Sequence, residues 1–257
     1  GDRHGIHFAG AISNARHDTV ISFNTIEGED EQGVVFDSTI DAAHIRINNN
    51  TKIEGQVDGV RFLGEVDTAQ IDINDNTRIQ GNDHEAIHFF QEVEESTVNI
   101  IGNDNLLGGD HGIEFAGIID ESNITISGNN DGIHADNHGI LFGAAIEGDS
   151  VINIHDNIIS ANEDGGAEGD GIHFAGTVTE SDIFIGDGFG SSLTNNPSNV
   201  ISGVDGIHFA ANIGENADIV IDGNRIGYNE PRLNPTTGPT ARVTDDGISF
   251  AFLSDNA

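Results

Sequence analysis

Aspartate and histidine residues recur at regular intervals in the C-terminal third of the chain. Asp170, His173, Asp205, His208 and Asp246 lie within three copies of the pattern Asp-Gly-Ile-x-Phe, where x is any residue. Converging carboxylate and imidazole groups can bind a divalent ion. Histidine favours zinc, copper or nickel, whereas carboxylate favours calcium. The first four of these residues are therefore candidate metal ligands.

The same aspartates are compatible with a different chemistry. Asp170, Asp205 and Asp246 are candidate catalytic residues, because two carboxyl groups about 5 to 9.5 Å apart can act together on a glycosidic bond. Histidine can then tune or transfer the proton. A third interpretation requires no site, since outward positions of a soluble rod are polar and Asp-Gly is a common turn. The sequence leaves all three interpretations open.

A second candidate group lies further towards the C-terminus. Arg225, Tyr228, Arg232 and Arg242 bring three arginines together in a chain with only 9 lysine and arginine residues. A tyrosine ring can stack on a sugar ring while arginines orient its hydroxyl or carboxylate groups. These four residues are predicted to contact a carbohydrate or another partner. The alternative is that their segment packs over the end of the fold as a cap.

A repeated four-residue pattern, Gly-Ile/Val-x-Phe, organises the whole sequence. Its nine copies start about 27 residues apart, at Gly5, Gly33, Gly59, Ala86, Gly112, Gly139, Gly171, Gly206 and Gly247. Apolar or small residues alternate from Ile6 through Phe8 and Gly10 to Ile12, and again in a second stretch such as Ile71-Asp72-Ile73. This alternation is the period of a β-strand, and no segment has the period of a helix.

Units of this size cannot bury their own apolar faces, so they must stack. Two or three strands per unit predict an all-β protein, a parallel β-helix of about nine turns of roughly 27 residues, in which residues 1–257 form a single domain. Longer intervals between the last copies predict insertion loops near 160–169, 186–199 and 227–245. Neither end has a polar cap, so we expect a segment of a longer protein or a subunit whose ends meet partners.

Two columns of polar residues follow this repeat. In each copy the isoleucine and phenylalanine point inward, so position x is predicted to face outward, beside the residue that precedes the glycine. We call these two columns the acid–histidine strip. Its pairs are His4 and His7, Gln32 and Val35, Asp58 and Arg61, Glu85 and His88, His111 and Glu114, His138 and Leu141, Asp170 and His173, Asp205 and His208, and Asp246 and Ser249.

Asparagine also recurs at one offset after the second strand. It occupies Asn50, Asn76, Asn103, Asn129, Asn157 and Asn224, with Gly188 as the exception. Asparagine tolerates the left-handed backbone of a sharp turn, and stacked amides can form ladders between parallel strands. The column predicts an internal asparagine ladder, and an ordinary turn residue is the alternative.

The combination of Ile-x-Ile-x-x-Asn, a short apolar step and Gly-Ile-x-Phe resembles a known family. It is similar to the right-handed parallel β-helix repeats of the pectate-lyase-like superfamily, which includes carbohydrate-active enzymes and bacterial surface adhesin shafts. The resemblance covers essentially the whole chain and implies the fold and its hand. It does not imply one activity, because this architecture carries lyases, hydrolases and inert shafts. The Arg-x-Lys pattern of polygalacturonase-like enzymes does not occur here.

The composition excludes several classes of protein. With 44 acidic and 9 basic residues the formal charge is -35, which repels nucleic acids and anionic lipids. Cysteine is absent, so disulfides and thiolate chemistry are excluded. The sequence contains no run of about 18 apolar residues, so we expect no insertion into a membrane. No pattern indicates an organic cofactor, and calcium is the candidate ion because turns such as Gly102-Asn103-Asp104 present closely spaced oxygens.

These observations favour a non-catalytic extracellular rod over an enzyme. We expect an adhesin-like β-helix at the bacterial cell surface or outside the cell, which binds calcium and mediates surface attachment or self-assembly. Its partners would be an extracellular polysaccharide or a surface, with head-to-tail contacts between copies. The alternative is a polysaccharide-degrading hydrolase or lyase with an acidic cleft. The uniform repeat favours the rod, because enzymes with the resembling fold interrupt the pattern near their active sites.

Overall fold

The protein is a parallel β-solenoid. A computed structural model describes residues 4–13, 18–161, 169–186, 198–227 and 247–250. Within these residues all regular secondary structure is strand, the strands pair in parallel, and no helix spans a membrane. The strands form four sheets that run along the solenoid, numbered here in chain order. The predicted fold class, with turns of about 27 residues, is confirmed.

Sheet 1 is formed by all nine copies of the Gly-Ile-x-Phe pattern. Its strands are Ile6–Phe8, Val34–Phe36, Val60–Phe62, Ile87–Phe89, Ile113–Phe115, Ile140–Phe142, Ile172–Phe174, Ile207–Phe209 and Ile248–Phe250. Equivalent residues of successive copies pair without any shift in register, as in Ile113 with Ile140 and Phe115 with Phe142. The spacing of the pattern therefore predicts the register as well as the strands.

The remaining sheets contain two-residue to five-residue strands. Sheet 2 comprises Ile12–Ser13, Ile40–Asp41, Val66–Asp67, Val93–Glu94, Ile119–Asp120 and Ile146–Glu147. Sheet 3 comprises Thr19–Ser22, His44–Asn48, Gln70–Asn74, Thr97–Ile101, Asn123–Ser127, Val151–His155, Asp182–Gly186 and Asp218–Asp222. Sheet 4 comprises Thr25–Gly28, Lys52–Gly55, Arg78–Gly81, Asn105–Gly108, Ile133–Ala135, Ile158–Ser160, Val200–Ser202 and Arg225–Ile226.

Each regular turn has four strands, one more than the largest number predicted. The alternating stretch from Ile6 to Ile12 is divided between sheet 1 and sheet 2, because the chain turns a corner after the phenylalanine. At this corner in the third turn, Gly64 approaches the preceding turn so closely that a Cβ atom would lie 2.2 Å from the carbonyl carbon of Ser38. Apolar residues continue to alternate across the corner, so the sequence pattern does not predict where the chain turns.

The solenoid has about seven turns instead of the predicted nine. Sheet 1 has nine strands but sheet 2 has only six, and single bridges at Val178 and Ile213 replace its strands in the next two turns. In the described residues the last copy contributes only the strand Ile248–Phe250. A copy of the pattern can form a strand without completing a turn, so counting copies overestimates the turns.

The core is built from stacked columns of identical side chains. The nine phenylalanines of sheet 1 form one continuous stack, with ring centroids 4.5 to 5.4 Å apart and ring planes within 6° of parallel. Seven of them are fully buried, from Phe36 to Phe209. Each contributes about 1.5 to 3 kcal/mol by leaving water. Isoleucines of sheets 3 and 4 line the opposite side of this core.

The predicted asparagine ladder is present, with two differences. Each buried Asn accepts hydrogen bonds from the preceding turn, as when the backbone N–H and Nδ2 of Asn76 donate to Asn103 Oδ1. The left-handed residue is the one before the asparagine, for example Asp75, so the amide forms the ladder from an ordinary backbone conformation. Gly188 is not described, and Asn199 occupies that rung by accepting from Asn157 and donating to Asn224.

A ladder of serines runs beside sheet 2 and has no counterpart in the sequence predictions. The backbone N–H of Ser96 donates to Ser122 Oγ, and that of Ser122 donates to Ser150 Oγ. The three side chains are buried. Buried hydroxyls in this column therefore satisfy backbone donors at the corner that leads into sheet 3.

Candidate functional site

The acid–histidine strip follows the corner where sheet 4 leads into sheet 1. The prediction that position x faces outward holds only in part, because Val35 and His88 are buried, His7 is exposed and the other members are half-buried. The preceding column is buried from Gln32 to Asp205, except for the half-buried His138. The two columns lie side by side and adjacent turns are close, so each side chain is covered by its neighbours. The strip is a mostly buried polar network along the solenoid.

The C-terminal part of the strip brings together the four predicted metal ligands. We call His138, Asp170, His173, Asp205 and His208 the C-terminal cluster. Asp170 Oδ2 lies 2.7 Å from His173 Nδ1 and 3.1 Å from His208 Nδ1. His208 Nδ1 is also 3.8 Å from Asp205 Oδ2. One ligand atom each from Asp170, Asp205 and His208 lies within 4.8 Å of the others, and the same holds for His138, Asp170 and His173.

Hydrogen bonds already occupy the carboxylate at the centre of this cluster. Asp170 Oδ1 accepts from the backbone N–H of Asp205, and Oδ2 accepts from the rings of His173 and His208. Burial alone would raise the pKa of Asp170, but these hydrogen bonds outweigh it and lower the pKa. Asp170 is therefore a charged acceptor and is poorly suited to act as a general acid.

His138 is held in its neutral form. Its Nδ1 accepts a hydrogen bond from the backbone N–H of Asp170, which an imidazolium could not do. Burial and the neighbouring rings of His173 and His111 lower the pKa of His138 to about 4. His111 repeats this arrangement one turn earlier: its Nδ1 accepts from the backbone N–H of His138, and burial lowers its pKa. The sequence predictions did not assign a role to either histidine.

The other predicted residues are not brought into this cluster in the described structure. Arg225 is exposed on the last strand of sheet 4, where its backbone N–H donates to the carbonyl of Asn199. Asp246, Tyr228, Arg232 and Arg242 lie outside the described residues. So do residues 162–168, 187–197 and 228–246, which include most of the predicted insertion loops. The carbohydrate or partner contact of the group from Arg225 to Arg242 stays a prediction, and so does the catalytic role of Asp246.

A second group of charged residues lies in the middle of the strip. We call Asp58, Arg61, Glu85, His88 and Glu114 the central cluster. Arg61 Nη1 is 3.2 Å from Asp58 Oδ2, and His88 Nδ1 is 3.0 Å from Glu85 Oε2 and 3.8 Å from Asp58 Oδ1. On the other side of the ring, His88 Nε2 is 3.2 Å from Glu114 Oε2. Three consecutive turns contribute these five side chains.

Burial and mutual attraction shift the ionisation of this cluster strongly. Burial opposes the charge on His88, but the carboxylates of Asp58 and Glu85 outweigh it and raise its pKa to about 9. Burial also opposes the charge on Asp58, yet the adjacent donors and Arg61 lower its pKa to about 2. Burial raises the pKa of Glu114 to about 7, with the Glu85 carboxylate adding to the effect, and burial raises that of Glu85 as well.

The fold places this chain among the parallel β-solenoids. Comparisons with models of known protein families, with curated proteins and with solved structures find no match to it. The functional interpretation therefore depends on the geometry of the strip and of the solenoid itself.

Proposed function

We propose that this protein is a non-catalytic structural rod outside the cell, related to the adhesin shafts of the pectate-lyase-like superfamily. The observation that carries the proposal is the continuity of the repeat. The phenylalanine stack and the asparagine ladder pass through the described turns without interruption. A shaft needs regular stacking along its whole length, whereas a catalytic cleft needs an accessible recess.

The burial of the strip supports the same proposal. Asp58 has 0% and Glu85 2% of its surface exposed, so a polymer cannot reach these carboxylates without a rearrangement. Asp170 is occupied by hydrogen bonds from two imidazole rings. In this proposal the acids and histidines pair with one another to hold successive turns in register. Binding of calcium stays a prediction, which the metal titration described in the next subsection tests with Ca²⁺.

A degradation assay distinguishes the rod from the alternative enzyme. The protein is incubated with calcium and a panel of neutral and acidic polysaccharides, and chain length is followed by size-exclusion chromatography. Asp205→Asn tests the strip, and Asp218→Asn is the matched control because Asp218 is exposed on sheet 3 of the same turn. A rod leaves every polysaccharide unchanged with all three proteins.

A specific pattern of degradation among the three proteins would indicate an enzyme. If the wild-type protein and Asp218→Asn shorten a polysaccharide and Asp205→Asn does not, the rod proposal is wrong. The function is then a hydrolase or lyase centred on the C-terminal cluster. The observation that favours this second function is that one oxygen each of Asp170 and Asp205 lies within 4.8 Å, close enough for paired carboxyl chemistry.

Self-assembly is the second element of the proposal. Among the described residues, the large apolar side chains that remain exposed are concentrated at the two ends of the stack. Phe23 is 81% and Val20 55% exposed in the first turn, and Ile248 and Phe250 are exposed in the last strand of sheet 1. Head-to-tail contacts would cover these side chains. Phe90 is the exception, half-way along the stack.

Sedimentation velocity over a range of protein concentrations tests this association. We expect oligomers that grow with concentration in the wild-type protein and are reduced by Phe23→Ser. Phe90→Ser is the matched control, because Phe90 is exposed on the side of the solenoid and not at an end. A protein that stays monomeric at every concentration, or that responds equally to both substitutions, would contradict the head-to-tail proposal.

A further inference from the structure

The centre of the acid–histidine strip contains buried polar atoms that lack hydrogen bonds. Glu85 Oε2 and both ring nitrogens of His88 have no hydrogen-bond partner among the described residues. The two side chains are only 2% and 6% exposed. Buried polar atoms in native proteins nearly always have partners, and an exception indicates strain, a bound water or an ion. These atoms require an explanation that the rod function does not supply.

The unpaired atoms lie close to polar atoms of neighbouring side chains. His88 Nδ1 is 3.0 Å from Glu85 Oε2, and His88 Nε2 is 3.2 Å from Glu114 Oε2, but neither contact has the direction of a hydrogen bond. One ligand atom from each of the three residues lies within 4.8 Å of the others. Oxygen and nitrogen ligands of a tetrahedral ion with bonds of about 2.1 Å are about 3.4 Å apart. The 3.0 Å between His88 Nδ1 and Glu85 Oε2 is close to this value, and Glu114 approaches the other nitrogen of the same ring at 3.2 Å.

The C-terminal cluster provides an internal comparison. There the imidazole rings of His173 and His208 both donate to Asp170, so the polar atoms satisfy each other without an ion. In the central cluster the distances are similar but the directions do not permit this pairing. Both clusters combine carboxylates with imidazoles, and of the two only the central one has buried atoms that remain unsatisfied.

Charge in the central cluster also leaves room for a cation. Arg61 pairs with Asp58 at 3.2 Å, which accounts for one carboxylate. Glu85 and Glu114 with a neutral imidazole then carry two negative charges in a buried site, and a divalent ion balances them. The alternative is protonation of His88 and Glu114, which balances the charge but leaves Glu85 Oε2 and the two nitrogens of His88 without directed hydrogen bonds.

We propose that Glu85, His88 and Glu114 bind one divalent transition-metal ion of the zinc type, which links two consecutive turns of the solenoid. Two carboxylates and one imidazole match the oxygen and nitrogen ligands that such ions prefer. Calcium is disfavoured because it takes six to eight oxygen ligands, and three buried side chains that include an imidazole do not provide them. One nitrogen of His88 and one oxygen each of Glu85 and Glu114 are the ligand atoms.

Metal titration of the purified full chain tests the proposal. The protein is stripped with a chelator and dialysed against Zn²⁺, Co²⁺, Ca²⁺ or Mg²⁺, and bound metal is measured by mass spectrometry. We expect one high-affinity equivalent of Zn²⁺ or Co²⁺ per chain, visible absorption bands from Co²⁺ in a protein site, and a rise in melting temperature with Zn²⁺ that Ca²⁺ does not reproduce.

Substitutions test which side chains bind the ion. Glu85→Gln and Glu114→Gln keep the side-chain shape and should each weaken Zn²⁺ binding at least 10-fold. His155→Gln is a matched control on an exposed acid–histidine pair, in which Nδ1 is 2.9 Å from Asp156 Oδ2. Asp170→Asn tests the C-terminal cluster. His155→Gln and Asp170→Asn should both still bind one equivalent of Zn²⁺ per chain. If Asp170→Asn alone loses this Zn²⁺, the ion binds in the C-terminal cluster and the proposal is overturned.

A measurement on the wild-type protein does not depend on the variants folding. Crystals soaked in Zn²⁺ and measured at the zinc absorption edge should show an anomalous peak between Glu85, His88 and Glu114. Absence of this peak, or absence of a stoichiometric equivalent in solution, refutes the site. Both results are independent of the polysaccharide and sedimentation assays, so the rod proposal and the metal proposal can fail separately.

Discussion

Removing one amide from the asparagine ladder should be costly, and the cost can be worked out from its contacts. Asn103 is fully buried; its Oδ1 accepts from the backbone N–H and Nδ2 of Asn76, and its Nδ2 donates to the carbonyl of Ile73 and to Asn129 Oδ1. The Asn103→Ala substitution removes all four bonds. It leaves the backbone bond from Asn103 N–H to Asn129 Oδ1 in place.

Asn103→Ala leaves only a few buried polar groups without a hydrogen bond that they make in the wild-type protein. Asn76 Nδ2 still donates to Ile47, and Asn129 Oδ1 still accepts from the backbone. The N–H of Asn76 and the carbonyl of Ile73 lose the bonds described above and lie where water does not reach. Each such group costs about 1 to 3 kcal/mol, so Asn103→Ala should lower the free energy of unfolding by about 4 kcal/mol. This is a large part of a typical stability of about 5 to 15 kcal/mol.

Urea unfolding followed by circular dichroism measures this loss. Asn24→Ala is the matched control: Asn24 occupies the same column in the first turn, but it is exposed and its Nδ2 donates to Ser22 and Asn50. It should cost about 1 kcal/mol or less. Similar costs at both positions would refute the argument that burial makes the ladder stabilising, and a cost below about 1 kcal/mol at Asn103 would refute the ladder energetics altogether.

Three further predictions concern the stack and the strip. Phe115→Ala removes a ring 4.7 Å from one neighbour in the stack and should cost about 3 to 5 kcal/mol in urea unfolding, whereas an unchanged melting temperature would show that the stack is not a core. Arg61→Ala leaves the buried Asp58 carboxylate without its guanidinium partner and should cost about 3 kcal/mol; adding Asp58→Asn should restore part of it, and a purely additive double variant would refute the pairing. His138 has a pKa of about 4 in the fold and an ordinary value of 6.5, so the unfolded chain takes up the proton first. Its contribution is complete above pH 6.5 and falls by up to about 3 kcal/mol as the pH drops to 4. His138→Asn keeps an acceptor for the Asp170 N–H and should flatten this part of the stability–pH curve, and a variant with the wild-type slope would exclude His138 as its origin.

The repeat in the sequence predicts the solenoid well because each turn contacts mainly its two neighbours. A residue type that recurs at a fixed interval must stack on its own copies, which is why the phenylalanine column predicts sheet 1 and its register. The corner between sheets 1 and 2 could not be predicted in the same way. Alternation continues across it, and the bend depends on how closely Gly64 approaches the neighbouring backbone.

The candidate site was predicted only in part, for a different reason. Asp170, His173, Asp205 and His208 repeat in adjacent copies, and the structure brings them together. The central cluster has no such local signal, because Glu85 precedes Ala86 where other copies have glycine, and in the next copy the order is reversed, with His111 before the glycine and Glu114 at position x. Its properties arise from burial and from side chains of three turns, which no single copy of the pattern contains.

The asparagine ladder gives the solenoid a direction. In every rung the donors belong to the turn nearer the N-terminus and the acceptor oxygen to the following turn, from Asn24 to Asn224. The amide dipoles therefore align along the axis and polarise one another, as in a chain of hydrogen bonds. A second copy can extend this array only by translation, with its acceptor face against the donor face of the first. A two-fold contact would set like dipoles against each other, so growth in this geometry is polar and open-ended.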